Sequence, residues 1–129
     1  MKRIIAPALA IVTVCALLLS ACGRVTYGNR ITRGTVTFYG ATSVLTQEEA
    51  ERIFELYDGK LMVKDDPSCG FSEDVSVSIN DGQHVFYIAM DGCPIVYYVN
   101  YDRYVLMSDR EQETLYSILE KYGFHFPCV

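Results

Sequence analysis

Between Cys69 and Cys93 the chain reads CGFSEDVSVSINDGQHVFYIAMDGC, and this stretch limits the fold more than any other. VSVSI alternates apolar and polar residues with period two, and HVFYIAM returns with aromatic and β-branched residues. Asn80-Asp81-Gly82 between them supplies residues that tolerate the left-handed backbone of a tight hairpin turn. One hairpin with a cysteine at each end is therefore expected. Two registers are open. A two-residue Asp81-Gly82 turn sets Val75, Val77 and Ile79 across from Ile88, Phe86 and His84. A three-residue loop would instead oppose Val77 to Val85 and Val75 to Tyr87. The first is preferred, because it gathers Phe86 and Ile88 on the face of the valines.

The flanking segments can be placed relative to this hairpin. Thr35–Tyr39 is a short strand, followed by a loop over Gly40–Ser43. Thr46 and Glu49 form a capping box, with Leu45 and Ala50 placed as a hydrophobic staple. Ala50, Ile53, Phe54 and Tyr57 recur at helical spacing, which predicts a helix over 47–57 that Asp58-Gly59 ends. Lys60–Val63 is a brief strand, and Asp65-Asp66-Pro67-Ser68 is a turn cluster. IVYYVN and YVLM make a second hairpin around Tyr101-Asp102-Arg103. Ser108 and Glu111 open a second capped helix, with Leu115, Ile118, Leu119 and Tyr122 on one face and Gly123 as its stop. FHFPCV is expected to dock as an edge strand, where Pro127 is tolerated. The predicted fold class is α+β, a small antiparallel sheet of hairpins with two helices packed on one face.

The chain opens differently. MKR is followed by an apolar run from Ile4 to Leu19, and the run ends in Leu19-Ser20-Ala21-Cys22-Gly23. A run of about 16 apolar residues falls short of the ~20 that span a bilayer. It resembles the signal sequence and lipobox of bacterial lipoproteins, with Leu19 at −3 and Cys22 as the first mature residue. The resemblance covers residues 1–23. It implies removal of residues 1–21, a diacylglycerol thioether on Cys22 and acylation of the new amino terminus. Two or more acyl chains hold a domain stably on a membrane. The location implied is the extracytoplasmic face of a bacterial cell, on the cell membrane or, where there is one, the outer membrane. Gly23 is not the aspartate that retains such proteins in the inner membrane of two-membrane cells. The domain division is then 1–21 signal peptide, 22–33 flexible basic tether and 34–129 a single folded domain.

Charge separates along the mature part. Residues 22–33 carry Arg24, Arg30 and Arg33 with no acid, whereas residues 34–129 carry six basic and sixteen acidic side chains, a net of −10. A basic tether beside anionic lipid with an acidic body held off it is electrostatically consistent. A domain this acidic makes nucleic acid an unsuitable partner.

With Cys15 in the leader and Cys22 on lipid, Cys69, Cys93 and Cys128 remain in an oxidising compartment. A Cys69–Cys93 disulfide would close a loop of 25 residues. Such a loop stabilises by roughly 3–4 kcal/mol in the chain-entropy model. Pairings of Cys128 with either partner stay open. A second reading is a thiol or zinc protein that uses Cys69, Cys93, His125 and Cys128, as a Cys₃His site or with His125 activating the Cys128 thiol. Paired Cys-x-x-Cys clamps are lacking, and the compartment favours disulfides. His84 is read as an ordinary strand residue. Asp65, Asp66, Glu73, Asp74 and Asp91 are read as solvated loop charge, since turns favour Asp for local hydrogen bonding. No serine-nucleophile motif, phosphate-cradling loop or dinucleotide fingerprint occurs, so neither enzyme activity nor a cofactor is expected. Tyr97, Tyr98, Tyr101 and Tyr104 crowd the second hairpin and form the candidate contact surface, since tyrosine is enriched in binding patches. The functional expectation is a lipid-anchored, non-enzymatic binding module for a protein or envelope component.

Overall fold

The computed structural model describes residues 30–64 and 66–128. The lipobox, Cys22 and residues 22–29 of the expected tether lie outside them. Strand β1 (Gly34–Phe38) turns back into β2 (Ala41–Val44), and helix α1 (Gln47–Tyr57) follows. Then come β3 (Met62–Val63), the hairpin β4 (Val75–Ile79) and β5 (His84–Ile88), and the hairpin β6 (Ile95–Tyr98) and β7 (Arg103–Leu106). Helix α2 (Asp109–Leu119) and a 3₁₀ turn (Glu120–Tyr122) precede the tail, and another 3₁₀ turn (Val99–Tyr101) joins β6 to β7. Among the described residues the strands form one antiparallel sheet, in the order β2-β1-β4-β5-β6-β7-β3.

The central hairpin takes the two-residue turn. Val77 faces Phe86 and Ile79 faces His84, so the valines, Ile79, Phe86 and Ile88 share one buried face. Asp81 and Gly82 have the positive φ that the two central residues of a tight right-twisted hairpin need, and Asn80 before them is left-handed too. Both helices lie on that face. Their buried residues, among them Ala50, Ile53, Phe54, Leu115 and Leu119, join Val36, Val77, Phe86, Val96, Tyr98 and Val105 in one core. Both capping boxes are complete, with Thr46 accepting from Glu49 N and Ser108 accepting from Glu111 N. A cap of this kind is worth about 1 kcal/mol. Gly34 lets α1 close on β1, since a Cβ there would stand 2.8 Å from the Ala50 Cβ.

Three expectations are corrected. Residues 41–43 of the expected Gly40–Ser43 loop belong to the edge strand β2, because Tyr39 and Gly40 both adopt left-handed φ and make a tight turn. Thr37 and Thr42 then face each other across the pair with hydroxyls 3.2 Å apart. The tail is no strand. Phe124 is buried against Phe38, Phe126 stacks on Tyr116 at 4.2 Å, and the Cys128 amide donates to the Met90 carbonyl. Residues 30–33 are folded rather than tether. Ile31 is fully buried, and the Asn80 side chain accepts from the Thr32 amide at 2.8 Å and donates to the Arg30 carbonyl at 2.9 Å.

Among the described residues one group in the core is unsatisfied. Tyr57 is fully buried with its ring 4.3 Å from Phe86, and its hydroxyl has no hydrogen-bond partner. A buried orphan of this kind costs about 1–3 kcal/mol. Tyr57→Phe deletes only that oxygen, so denaturant titration is expected to show a stability gain of about 1 kcal/mol. A loss of stability in that variant would show that the hydroxyl is bonded in solution.

Candidate binding surface and cysteine cluster

Both helices cover one face, so among the described residues no helix covers the other face of the sheet, and strand alternation decides what it carries. The register places Tyr87 of β5 opposite Tyr97 of β6, and Tyr97 opposite Tyr104 of β7. The three rings form a row across the sheet, with centroids 5.8 and 5.1 Å apart. Phe71, from the loop before β4, leans over Tyr97 at 6.1 Å and over Tyr104 at 5.6 Å. Cross-strand aromatic contacts of this kind contribute roughly 0.2–1 kcal/mol each. The hydroxyls are aimed by carboxylates, Tyr97 donating to Asp102 at 2.7 Å and Tyr104 to Asp66 at 2.9 Å. The Asp102 bond pushes the Tyr97 phenol up to about 12. Tyr104 is raised by desolvation and then by Asp66. Both phenols stay protonated and fixed in direction at physiological pH.

Ile95 and Leu106 pair in the next row of the same face. Leu106 is 52% exposed, and Leu61, which alternates outward from the inward-facing Met62, is 62% exposed. Aromatic rings with oriented hydroxyls therefore adjoin exposed aliphatic side chains along β6, β7 and the residue leading into β3.

The tyrosines singled out by sequence divide between two environments. Tyr97 and Tyr104 lie on the open face. Tyr98 does not, being 1% exposed and stacked on Phe86 at 4.4 Å, with its hydroxyl hydrogen-bonded to His84 Nδ1. Alternation sends it to the core because its neighbour Tyr97 points outward. Tyr101 sits at the hairpin tip, exposed, with one side of its ring against Tyr98. Tyr87 and Phe71 were not among the expected contact residues. Tyr87 carried a signal, since it alternates with the buried Phe86 and Ile88. Phe71 carried none. His84 is half-buried with its ring edge-on to Phe54, and burial lowers its pKa.

The second cluster lies at the far end of the central hairpin. Sγ of Cys69, Sγ of Cys93 and a carboxylate oxygen of Asp91 all lie within 4.8 Å of one another. The loops are tied there by the Met90 amide donating to the Gly70 carbonyl and the Cys93 amide donating to Asp91. The Cys69 thiol and the Asp91 carboxylate push the Cys93 thiol up to about 12. Bonds from the Cys93 backbone and thiol hold Asp91 below the usual carboxylate range. Cys93 is accordingly a protonated thiol at neutral pH and not an attacking thiolate.

The four-residue zinc set of the second reading is not assembled among the described residues. His125 is exposed and lies edge-on against Phe38, and neither it nor Cys128 belongs to the group around Cys69 and Cys93. Asp91 takes their place and leaves three donors, one fewer than a structural zinc site uses. Cys69 and Cys93 are both thiols in the structure. The oxidised form needs the sulfurs to close to about 2.05 Å, with two electrons and two protons passing to an exchanging disulfide. No helix among the described residues is long and apolar enough to cross a membrane. No protein-family model, curated protein or solved structure matches the chain.

The juxtaposition predicts which thiols pair. Residues 23–129, folded with a mixture of oxidised and reduced glutathione and then denatured, are expected to take one alkylating group without reductant, on Cys128. Peptide mapping should recover Cys69 joined to Cys93. Three alkylated cysteines would contradict that pairing.

Proposed function

We propose that this chain is an exported, lipid-anchored and non-enzymatic domain that binds a protein or another envelope component through its open sheet face. The observation that carries the binding reading is the continuous patch formed by the Tyr87–Tyr97–Tyr104 row, Phe71 and the exposed Leu106 and Leu61. Tyrosine gives large contact area at low conformational cost, and oriented hydroxyls supply directional donors at the same place. Exposed aliphatic residues beside such a row are what a desolvated interface core requires. The anchor reading rests on the Leu19-Ser20-Ala21-Cys22 sequence, and the acidic balance of residues 34–129 suits a body held off an anionic bilayer. The Cys69–Cys93 pair acts in this reading as a staple at the base of the central hairpin.

The test places a photo-cross-linking amino acid at Leu106 in the full-length chain, in cells of the producing bacterium. A discrete adduct is expected, absent when the same group replaces Glu73, and lost when Tyr97→Ala and Leu61→Glu are combined with it. Since Leu61 is exposed, Leu61→Glu alone is expected to change stability by less than about 0.5 kcal/mol. Equal adduct patterns at positions 106 and 73 would overturn the reading.

A further inference from the structure

Resting on the anchored reading, we infer that the domain docks on the bilayer by one end of its sheet, the end at which the chain enters at Arg30. The occupant of that surface is the headgroup layer of anionic lipid. Three observations converge on it.

The first is where the described chain begins. Asn80 fixes residues 30–33 through the Arg30 carbonyl, the Thr32 amide and the Thr32 hydroxyl, and its own amide donates to the Arg33 carbonyl at 2.7 Å. With Ile31 buried as well, Arg30 cannot swing away from the domain. Eight steps of chain separate Cys22 from Arg30. At full extension that is about 28 Å, close to the diameter of a domain of about 100 residues. A lipidated Cys22 therefore holds Arg30 within about 28 Å of the bilayer.

The second is what else lies at that end. β1 starts there, the β4–β5 turn lies beside Asn80, and the tip of the β6–β7 hairpin is tied to the same turn. Asn100 donates to the Gly82 carbonyl at 3.0 Å and accepts from the Val85 amide at 2.7 Å. This brings Tyr101, 54% exposed, to the same rim. An exposed ring with a polar tip suits the boundary between headgroups and acyl chains.

The third is charge. Arg30, Arg33 and Arg103 belong to this rim, against Asp81 and Asp102, while the domain from residue 34 onward has a net of −10. Arg33 and Asp81 approach only to 3.9 Å and are largely exposed, so the pair holds weakly. Of the exposed acids, Glu55, Asp58, Asp109 and Glu113 lie on the helix layer and Glu73, Asp74 and Asp91 at the opposite end, while Glu48, Asp66 and Glu120 lie toward this one. Where the helix termini reach this end, Glu48 and Glu49 are offset by Arg52 and Lys121. Anionic lipid is therefore repelled least at this end, where the arginines offset the acids, and most by the rest of the domain. The open tyrosine face then stands upright from the bilayer and stays available to a partner.

The experiment uses full-length acylated protein reconstituted into phosphatidylglycerol–phosphatidylethanolamine vesicles, with p-benzoylphenylalanine at position 101, 81 or 73. Flotation reports the anchor, and photo-adducts to lipid report the orientation. With the protein floating, positions 101 and 81 are expected to give about fivefold more lipid adduct than position 73. Arg30→Glu with Arg33→Glu should bring that ratio near one without releasing the protein. A floating protein with equal adducts at all three positions overturns the orientation and leaves the anchor standing. Failure to float overturns the anchor, and the orientation with it. Using position 81 beside 101 keeps the test decisive if the ring at 101 disturbs its contact with Tyr98.

Discussion

The Asn80 side chain is the contact on which the placement of this domain depends. It sits at the start of the central hairpin's turn, in the left-handed backbone conformation that asparagine tolerates better than most residues. From there its amide group satisfies the backbone of a segment about 50 residues earlier in the chain. That segment buries Ile31 and delivers β1 into the sheet beside β4. One residue thus closes the turn with its carbonyl and holds residues 30–33 with its side chain. On the anchored reading it also shortens the leash to the membrane.

From the hairpin outward, a single alternation sorts the molecule into two surfaces. Inward positions of β1, β4, β5, β6 and β7 meet the two helices in one core. Outward positions place polar Thr and Ser at one side of the sheet and tyrosines and aliphatic residues at the other. The Lys60–Glu111 ion pair and the Glu49 contacts to Lys121 and Tyr122 join the helices to each other at both ends. The helix layer is thereby closed by its own polar groups, which leaves the tyrosine row as the unclosed apolar surface among the described residues. The cysteine pair lies at the end opposite Arg30, so a staple there and a bilayer at the other end would not compete for space.

Much of this was legible in the sequence where the signals were local. The capping boxes, the helical spacing of Ala50, Ile53, Phe54 and Tyr57, and the Asn80-Asp81-Gly82 turn each name their structure within a few residues. The register of β4 and β5 followed from asking which pairing buries Phe86. What escaped depended on distant partners. Ile31 is one apolar residue in a polar run, and its burial depends on distant partners, Asn80 holding residues 30–33 and Gln47 donating to the Ile31 carbonyl. The β1–β2 turn uses Tyr39-Gly40, a weaker signal than Asn-Gly, and β2 is too short to show a period. Tyr97 and Tyr98 look alike in sequence, and only the pairing of β6 with β5 and β7 tells which one is inside. Asp91 joined the cysteines through loop geometry that spacing cannot reveal.

The central claim is that this domain works while held on a membrane by lipid at Cys22. Intact mass of the protein extracted from the membranes of its own cells tests that claim most directly. The account predicts a chain starting at Cys22, heavier than residues 22–129 by a diacylglycerol group and, where the amino terminus is acylated, one further fatty acid. A chain that retains residues 1–21, or one that starts at Cys22 without added lipid mass, would contradict it.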